Sequence, residues 1–532
     1  MTVQEKTKIK SVAIIGAGAA GLTSLFELLN TNEDGSTNLK YKSDGVFDAA
    51  NTQRPKIVAF NKVVAFELNS DIGGIWKPAF EKPDLLDRAT LDTERYNEPF
   101  VIRPRTEFPL QILDRKYSRE DPLVTKKSDF PSPQTWSSSG VYRQLFSDVP
   151  RRYLRNSFIP LKDQASGTKS DIGQFLTNSE VTAQLKQFSA NFNLAENVRF
   201  NTEVIRAKKL NNSRGWKLFI KETSRDTQSV RWYEEEFDGL IVSNGHYSIP
   251  YIPKIDGLSQ WNAAFPGSIQ HSKSFRDPKV FKSKRVVFVG TGLSGVDILQ
   301  YVFPIAHEVI VSRTPNKEET FPWLTKAATS EGIIIKPRIK KVMPSNRTVV
   351  FEDGTAVSGV DYIILSTGYH WHYPFLDEEE TGVRVAPAPN KSFPDGTSLV
   401  DGLYLNLVAV KDPSLAFVGV TVTPVLWPSF ELEASAIAGL WSNNFRLLSK
   451  KEQRDASLER KAKTGANLLF HYYPGEVFQD YVDSLRPYLV KDRDWKNIFD
   501  NRHLDDLARS YVTAERLFYG LKHAHIAVKD TF

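Results

Sequence analysis

Two short runs of small residues carry the first legible chemistry of this chain. One is GAGAAG, with Gly16, Gly18 and Gly21; the other is GTGLSG, with Gly290, Gly292, Ser294 and Gly295. Each follows an apolar run, SVAII or RVVFV, and opens a helical pattern, so each reads as strand, tight turn and helix start. At such a junction the first glycine permits the turn. The second lets the backbone approach a pyrophosphate, and the third lets the helix pack on the strand. The free N–H groups and dipole of the helix start then favour an anion. One such run is a weak signal; two in the same context predict two dinucleotides in one chain.

The residue closing the next strand separates the two sites. Glu67 closes VVAFELN, where a carboxylate holds ribose hydroxyls. It lies further from Gly21 than the usual distance of about 20 residues, and the polar stretch 31–55 accounts for the delay. Arg313 closes EVIVSRT. A carboxylate there would repel a 2′-phosphate, whereas a guanidinium fork binds it. The economical pair is FAD in the first unit and NADPH in the second. SDIGGIWKP supports FAD, because Gly73 and Gly74 bring backbone close to the flavin side and Trp76 packs beside it.

The elements that must position these residues predict an α/β protein. It has two dinucleotide-binding (Rossmann-like) domains, with the NADPH domain inserted into a larger FAD domain. FDGLIVSNGHYSIPYIP and VDYIILSTGYHWHYPF share one form, an apolar strand running into glycine, aromatics and proline. They bracket the second unit, so 245–253 and 366–375 read as hinges. Residues 1–248 are expected to form the first part of the FAD domain, 249–367 the NADPH domain, and 368–532 the rest of the FAD domain with a helical tail. Insertions at about 31–55 and 78–139 are rich in turn residues, proline and charge, and read as long surface loops. FPGSIQHSKSF, Phe265 to Phe275, shows no hydrophobic period and reads as neither strand nor helix.

Composition excludes several classes. The chain has no cysteine, so disulfides, thiolate nucleophiles, cysteine zinc sites and iron–sulfur ligation are out. Flavoprotein disulfide reductases share the two-dinucleotide layout but need a redox cysteine pair, so they are out as well. A net charge of +6, from interspersed basic and acidic residues, argues against nucleic acid. No run of about 18 apolar residues is present to span a membrane, and the polar start MTVQEKTKIK is no signal peptide. The expected location is cytoplasmic, with peripheral membrane association left open, as is a homodimer. His246, His271, His307, His370 and His372 form no metal-binding pattern, and His370 and His372 are expected at the surface. Trp323, Trp427 and Trp441 are expected in the core.

Together the motifs resemble the flavin-containing monooxygenases, class B flavoprotein monooxygenases of the N,N-dimethylaniline monooxygenase kind, with a fungal member the expectation. The resemblance rests on GAGAAG, FELNSDIGGIW, GVYRQLFSDVP, FNTEVIRA, SNGHYSIPYIP, GTGLSG, ILSTGY and VKDPSLAFVG. It also rests on Phe265, Gly267, His271 and Phe275, which match a family pattern just before the NADPH loop. It implies NADPH- and O2-dependent oxygenation of nitrogen or sulfur in a small molecule, through a C4a-hydroperoxyflavin. It implies cofactor contacts at Ser147 and Val204 and catalytic-site positions at Asp148 and His271. Related Baeyer–Villiger enzymes carry Trp at the last place of the segment, so Phe275 favours heteroatom oxygenation. Three departures stand out. Asp148 replaces an asparagine whose amide supports the oxygenated flavin, and Asn97 is a spatial substitute of poor spacing. Asn178 or Ser179 stands where arginine is frequent, and Leu293 where asparagine is. An ionised carboxylate cannot donate a hydrogen bond. A Baeyer–Villiger oxygenase, an NADPH oxidase releasing hydrogen peroxide and a redox-sensing binding protein are therefore the alternatives.

Overall fold

The computed structural model describes residues 9–528, apart from 43–45, 54, 56, 78–82, 134, 160–171, 211–214, 225, 388–396, 443–446, 494 and 496–501. The strand Ser11–Ile15 (β1) is followed by the helix Ala19–Leu29 (α1), the strand Lys62–Phe66 (β2) and, much later, the strand Gly239–Val242 (β3). β1 pairs in parallel with β2 on one side and β3 on the other, in the middle of a seven-stranded sheet. Val12, Ala13 and Ile14 are fully buried, as a parallel sheet covered on both faces demands.

The second parallel sheet has five strands. In chain order they are Ile269–His271 (β4), Arg285–Val289 (β5), Glu308–Ser312 (β6), Ile334–Lys336 (β7) and Tyr362–Leu365 (β8). They stand in the order β4-β8-β5-β6-β7. The helix Leu293–Val302 (α2) follows β5 as α1 follows β1. The two chain crossings between the sheets lie side by side. Ile249–Pro250 pairs antiparallel with Tyr369–His370, and Tyr251 N donates to Gly368 O at 2.8 Å.

Three expectations need correction here. The segment 265–275 does contain a strand, because β4 pairs with β8 through Ile269↔Ile363 and His271↔Leu365. Its two inward positions are an isoleucine and a histidine, too short and too polar a pattern to read. The insertions are also more than surface loops. In the first, Leu39 and Phe47 enter the core that holds Phe26 of α1, and Gly35 O accepts from Lys491 N at 2.9 Å. In the second, Leu86, Leu91, Tyr96, Ile102 and Trp136 pack with Trp261 and Ile363 of the NADPH unit, while residues 78–82 lie outside the described residues. Its Leu123–Lys126 is also an edge strand of a four-stranded antiparallel sheet with Ser229–Phe237, Trp216–Thr223 and Thr202–Lys209. Scattered apolar residues in polar company supply these contacts without any period. Finally, His370 and His372 are buried rather than superficial. His370 Nε2 faces Asn97 Oδ1 at 3.0 Å while its Nδ1 accepts from Ser398 N at 3.0 Å, and the His372 ring lies 5.0 Å from that of Phe100.

The helix Leu426–Ser442 (α3) packs along α1, and a buried ion cluster ties both to the tail. Arg493 is fully buried; its Nη1 donates to Glu27 Oε1 of α1 at 2.6 Å and its Nη2 to Glu431 of α3. Ser157 N donates to Glu431 Oε2 at 2.6 Å, and the guanidinium lies 4.2 Å from the Trp495 ring centre. Burial pushes the Glu27 carboxyl up to about 7 against the pull of Arg493. Removing the cation strands two carboxylates in the interior. Arg493→Met is therefore expected to cost about 3–5 kcal/mol. The drop in the thermal and chemical unfolding midpoints of the FAD-loaded protein measures it; unchanged midpoints would refute the assignment.

Candidate active site

Both glycine turns are built by one device. Gly16 has φ +103°, and a Cβ there would stand 2.6 Å from Ser243 O; Gly290 has φ +93°, and its Cβ would stand 2.5 Å from Ser366 O. Ser243 and Ser366 end β3 and β8, and their N–H groups donate to Ile15 O at 3.0 Å and Val289 O at 2.8 Å. The third glycines face inward in the same way: a Cβ on Gly21 would meet Gly16 O at 1.9 Å, and one on Gly295 would meet Gly290 O at 2.7 Å. α1 and α2 both start at a glycine with no side-chain cap and no acidic residue in the first turn. Their first N–H groups are thus left to a ligand anion. A Cβ on Gly292 would have nothing within 4 Å, whereas one on Gly74 would come within 3.1 Å of Gly18 Cα, so two backbones meet at the first turn.

Glu67 lies just past β2 and is buried. Its Oε1 accepts from Asn69 N and Asn69 Nδ2, both at 2.8 Å, and its Oε2 accepts from Ala17 N at 2.8 Å. With Ala17 N its one donor among the described residues, Oε2 keeps a lone pair for a ribose hydroxyl. Burial raises the carboxyl against these donors. Arg313 lies just past β6, half-buried, where one Nη donates to Lys317 O and its Nε has no partner among the described residues. A guanidinium held by one arm with another N–H unspent suits a phosphate. The Val204 side chain is packed in the core with Ile15 and Phe66, so only its backbone is left to offer a cofactor.

A cavity of about 1250 Å³ opens between the two units. It brings together Trp76, Ser147 and Asp148 from the first unit with Gly290, Gly292, Ser294 and Arg313 from the second. Gly16, Gly18, Gly21, Glu67, Gly74, Val204, Gly295 and His271 are not among its walls. Trp323 is on the wall, while Trp427 and Trp441 are core residues. Ser147 is locked in place: its Oγ donates to Val149 O at 2.7 Å and accepts from Leu176 N at 3.0 Å. Asp148 points into the cavity and has no side-chain hydrogen bond among the described residues; enclosure by the walls pushes its carboxyl up. Asn178 braces this loop, its Nδ2 donating to Tyr142 O at 2.6 Å.

The second carboxyl of the cavity was not foreseen. Asp297, in the second turn of α2, accepts from the Tyr142 hydroxyl, so a proton bridges the two cofactor units. Burial pushes Asp297 up to about 7, and the nearby Asp148 adds to the rise. An acid two residues after the third glycine, where the helix face is otherwise apolar, was the available signal. Asn97, considered as a stand-in for the missing amide, is elsewhere: its Oδ1 accepts from Ile252 N at 2.9 Å in the hinge.

His271 is fully buried at the end of β4. Its Nδ1 accepts from Lys273 N at 3.2 Å, so Nε2 carries the proton and donates to Gly368 O at 3.0 Å. Burial drives its pKa down to about 3. With both nitrogens spent on backbone and no place on the cavity wall, it is a tie across the hinge and not an acid or base at the site. Phe275 is buried against Tyr142, ring centres 4.7 Å apart.

A glycine-turned helix start on the cavity wall at Gly290 and Gly292, and a second of the same build at Gly16 outside that wall, define a flavoprotein that holds two dinucleotides. The family model of flavin-binding monooxygenase-like proteins matches residues 138–332 and 324–388. The flavin-containing monooxygenase FMO GS-OX-like 3 of Arabidopsis thaliana is 31% identical over 450 residues, covering 84% of this chain and 79% of that protein. The flavin-containing monooxygenase ustF2 of Aspergillus flavus is 26% identical over 506 residues, covering 91% of this chain and 92% of the relative. Among solved structures, the S-allyl-L-cysteine S-oxygenase of Allium sativum superposes with a TM-score of 0.66 at 24% identity, covering 96% of this chain and 95% of that one. The chain belongs to the flavin-containing monooxygenase family. It is an FAD- and NADPH-dependent monooxygenase, and the uncapped glycine turns fit both dinucleotides.

The two nucleotide-loop glycines are expected to fail differently. Gly290→Ala strains a positive φ and drives a Cβ into Ser366 O, so both stability and NADPH binding fall. Gly292→Ala meets nothing in the fold but stands where phosphate must approach. Its unfolding temperature should match wild type while the NADPH dissociation constant rises about tenfold. Titration of NADPH against flavin fluorescence checks this; unaltered affinity in Gly292→Ala would remove the phosphate from this turn.

Proposed function

We propose that this enzyme oxygenates a nucleophilic nitrogen or sulfur of a small molecule, consuming NADPH and O2. The observation that carries the reading is the shared cavity, in which the nucleotide turn at Gly292 and the loop at Asp148 face one volume. The bound flavin supplies the oxygen-transfer chemistry. The chain supplies placement, dryness and protons. Leu145, Phe146, Phe321 and Leu426 give the cavity apolar walls that exclude water from the reacting centre. Arg313 holds the 2′-phosphate of NADPH and Glu67 the ribose of FAD. Phe275, with Phe where Baeyer–Villiger relatives carry Trp, supports a heteroatom over a ketone as acceptor.

Asp148 sets the efficiency of coupling. As the acid it donates a hydrogen bond; as the carboxylate it only accepts, and it repels an anionic reduced flavin. Its pKa is raised, so the donating form persists above the ordinary carboxylate range and is lost as pH rises through the raised value. The share of NADPH released as hydrogen peroxide should therefore climb with pH. Asp148→Asn keeps a donor at every pH, and its peroxide share should be low and flat from about pH 5 to about pH 9. Peroxide and NADPH measured together decide this, and equal leakage in both proteins would refute the role.

The reaction class is tested by anaerobic reduction of the FAD-loaded enzyme with NADPH, followed by oxygen and a panel of thioethers, tertiary amines and ketones. Sulfoxides or N-oxides are expected. Esters formed stoichiometrically from ketones would establish the Baeyer–Villiger alternative. Peroxide with no oxygenated product from any substrate would establish an NADPH oxidase, a reading favoured by an Asp148 carboxyl with no side-chain partner among the described residues.

A further inference from the structure

The helix Arg502–Lys522 (α4) lies beyond the matched family segment and belongs to neither nucleotide sheet. It is fastened at both ends to different parts of the molecule. Near its start, Asp506 Oδ2 accepts from Arg152 Nη1 at 2.9 Å and from Tyr153 Oη at 3.0 Å. Arg152 and Tyr153 follow Asp148 on the same loop. At its end, the buried Lys522 Nζ donates to Ser330 Oγ at 2.7 Å and Glu331 O at 2.5 Å, just past the helix Pro322–Ala328 of the NADPH unit. Between these anchors, Ala514, Leu517 and Leu521 pack on Phe146 and Phe175, while Phe518 enters the core beneath α2.

A helix pinned in this way cannot swing its inner face aside. That face puts Tyr511 and Ala514 on the cavity wall. The Tyr511 ring stands 5.0 Å from that of Phe321, on the nucleotide side. Burial raises its phenol, and Tyr472, Glu476 and Asp148 add to the rise, so Tyr511 is neutral and within electrostatic reach of Asp148.

We propose that Tyr511 is the specificity-determining residue of this enzyme, its ring setting how bulky a group can stand beside Asp148. The proposal rests on the oxygenase reading above. A wall on a helix held at one end by the half-buried Asp506–Arg152 pair and at the other by buried Lys522 selects by size with little give.

The test uses FAD-loaded full-length wild type, Tyr511→Ala and Tyr511→Phe with two probes, methyl phenyl sulfide and dibenzyl sulfide. Dissociation constants come from perturbation of the oxidised flavin spectrum without NADPH, and kcat/KM from sulfoxide formation. Flavin content and unfolding temperature establish that each variant is folded. In Tyr511→Ala both measures should shift toward the dibenzyl probe by about tenfold relative to the smaller one. Tyr511→Phe, which keeps the ring, should retain the wild-type ratio. An unchanged ratio in Tyr511→Ala, or an equal shift in Tyr511→Phe, overturns the proposal. Wild type that binds both sulfides and oxidises neither overturns the oxygenase reading instead, and the binding ratios still decide Tyr511.

Discussion

Twice in this chain a glycine rests against a serine carbonyl at a distance no side chain could share, Gly16 on Ser243 and Gly290 on Ser366. Each contact welds the end of one strand to the end of its neighbour and turns the chain sharply into a helix. The rest of the site follows. The helix starts lie uncapped at the carboxyl ends of the parallel strands, where open α/β sheets take their ligands. The serines that seat the glycines also begin the two crossings between the units. The element that shapes each nucleotide site therefore sets the spacing of both.

The histidines at this junction are held uncharged. Burial drives His271 and His370 to about 3 and His246, beside the cavity, to about 4. These rings work as fixed hydrogen-bonding pieces, His246 Nδ1 reaching Gly419 O at 3.2 Å and His271 Nε2 reaching Gly368 O. A charged imidazole here would draw the nucleotide phosphates away from the helix starts, with a pull that changes with pH. Two of the carboxyls on the cavity wall stand on opposite sides of the domain border and can exchange protons with the cavity. Asp148 has no side-chain partner among the described residues, and Asp297 is bridged by Tyr142.

What was legible in the sequence was whatever depends on local backbone geometry. The glycine turns follow from strand–turn–helix spacing, because steric demands on a turn reach only a few residues, and Glu67 and Arg313 stood out as the polar residues that close the next strands. Asp148 was legible as a departure from a motif. The segment 265–275 was misjudged because its inward position is filled by a histidine instead of an apolar residue. Tyr511 was silent and Asp297 showed only as an acid on an otherwise apolar helix start, since each matters through a partner on another element. The insertions hid their role for the same reason: Leu39 and Phe47 look like chance apolar residues until the tail packs against them.

The Arg493 cluster bears on how the protein is made. Its guanidinium and the Glu27 carboxylate are separated by 466 positions, nearly the whole chain. At ribosomal speeds of about 5–20 residues per second, α1 emerges roughly 20–90 s before its partner. Through that interval Glu27 stays hydrated, and the face of α1 that will meet α3 cannot close. The flavin unit therefore begins the chain yet finishes folding last, after the nucleotide unit inserted in its middle has been synthesised complete.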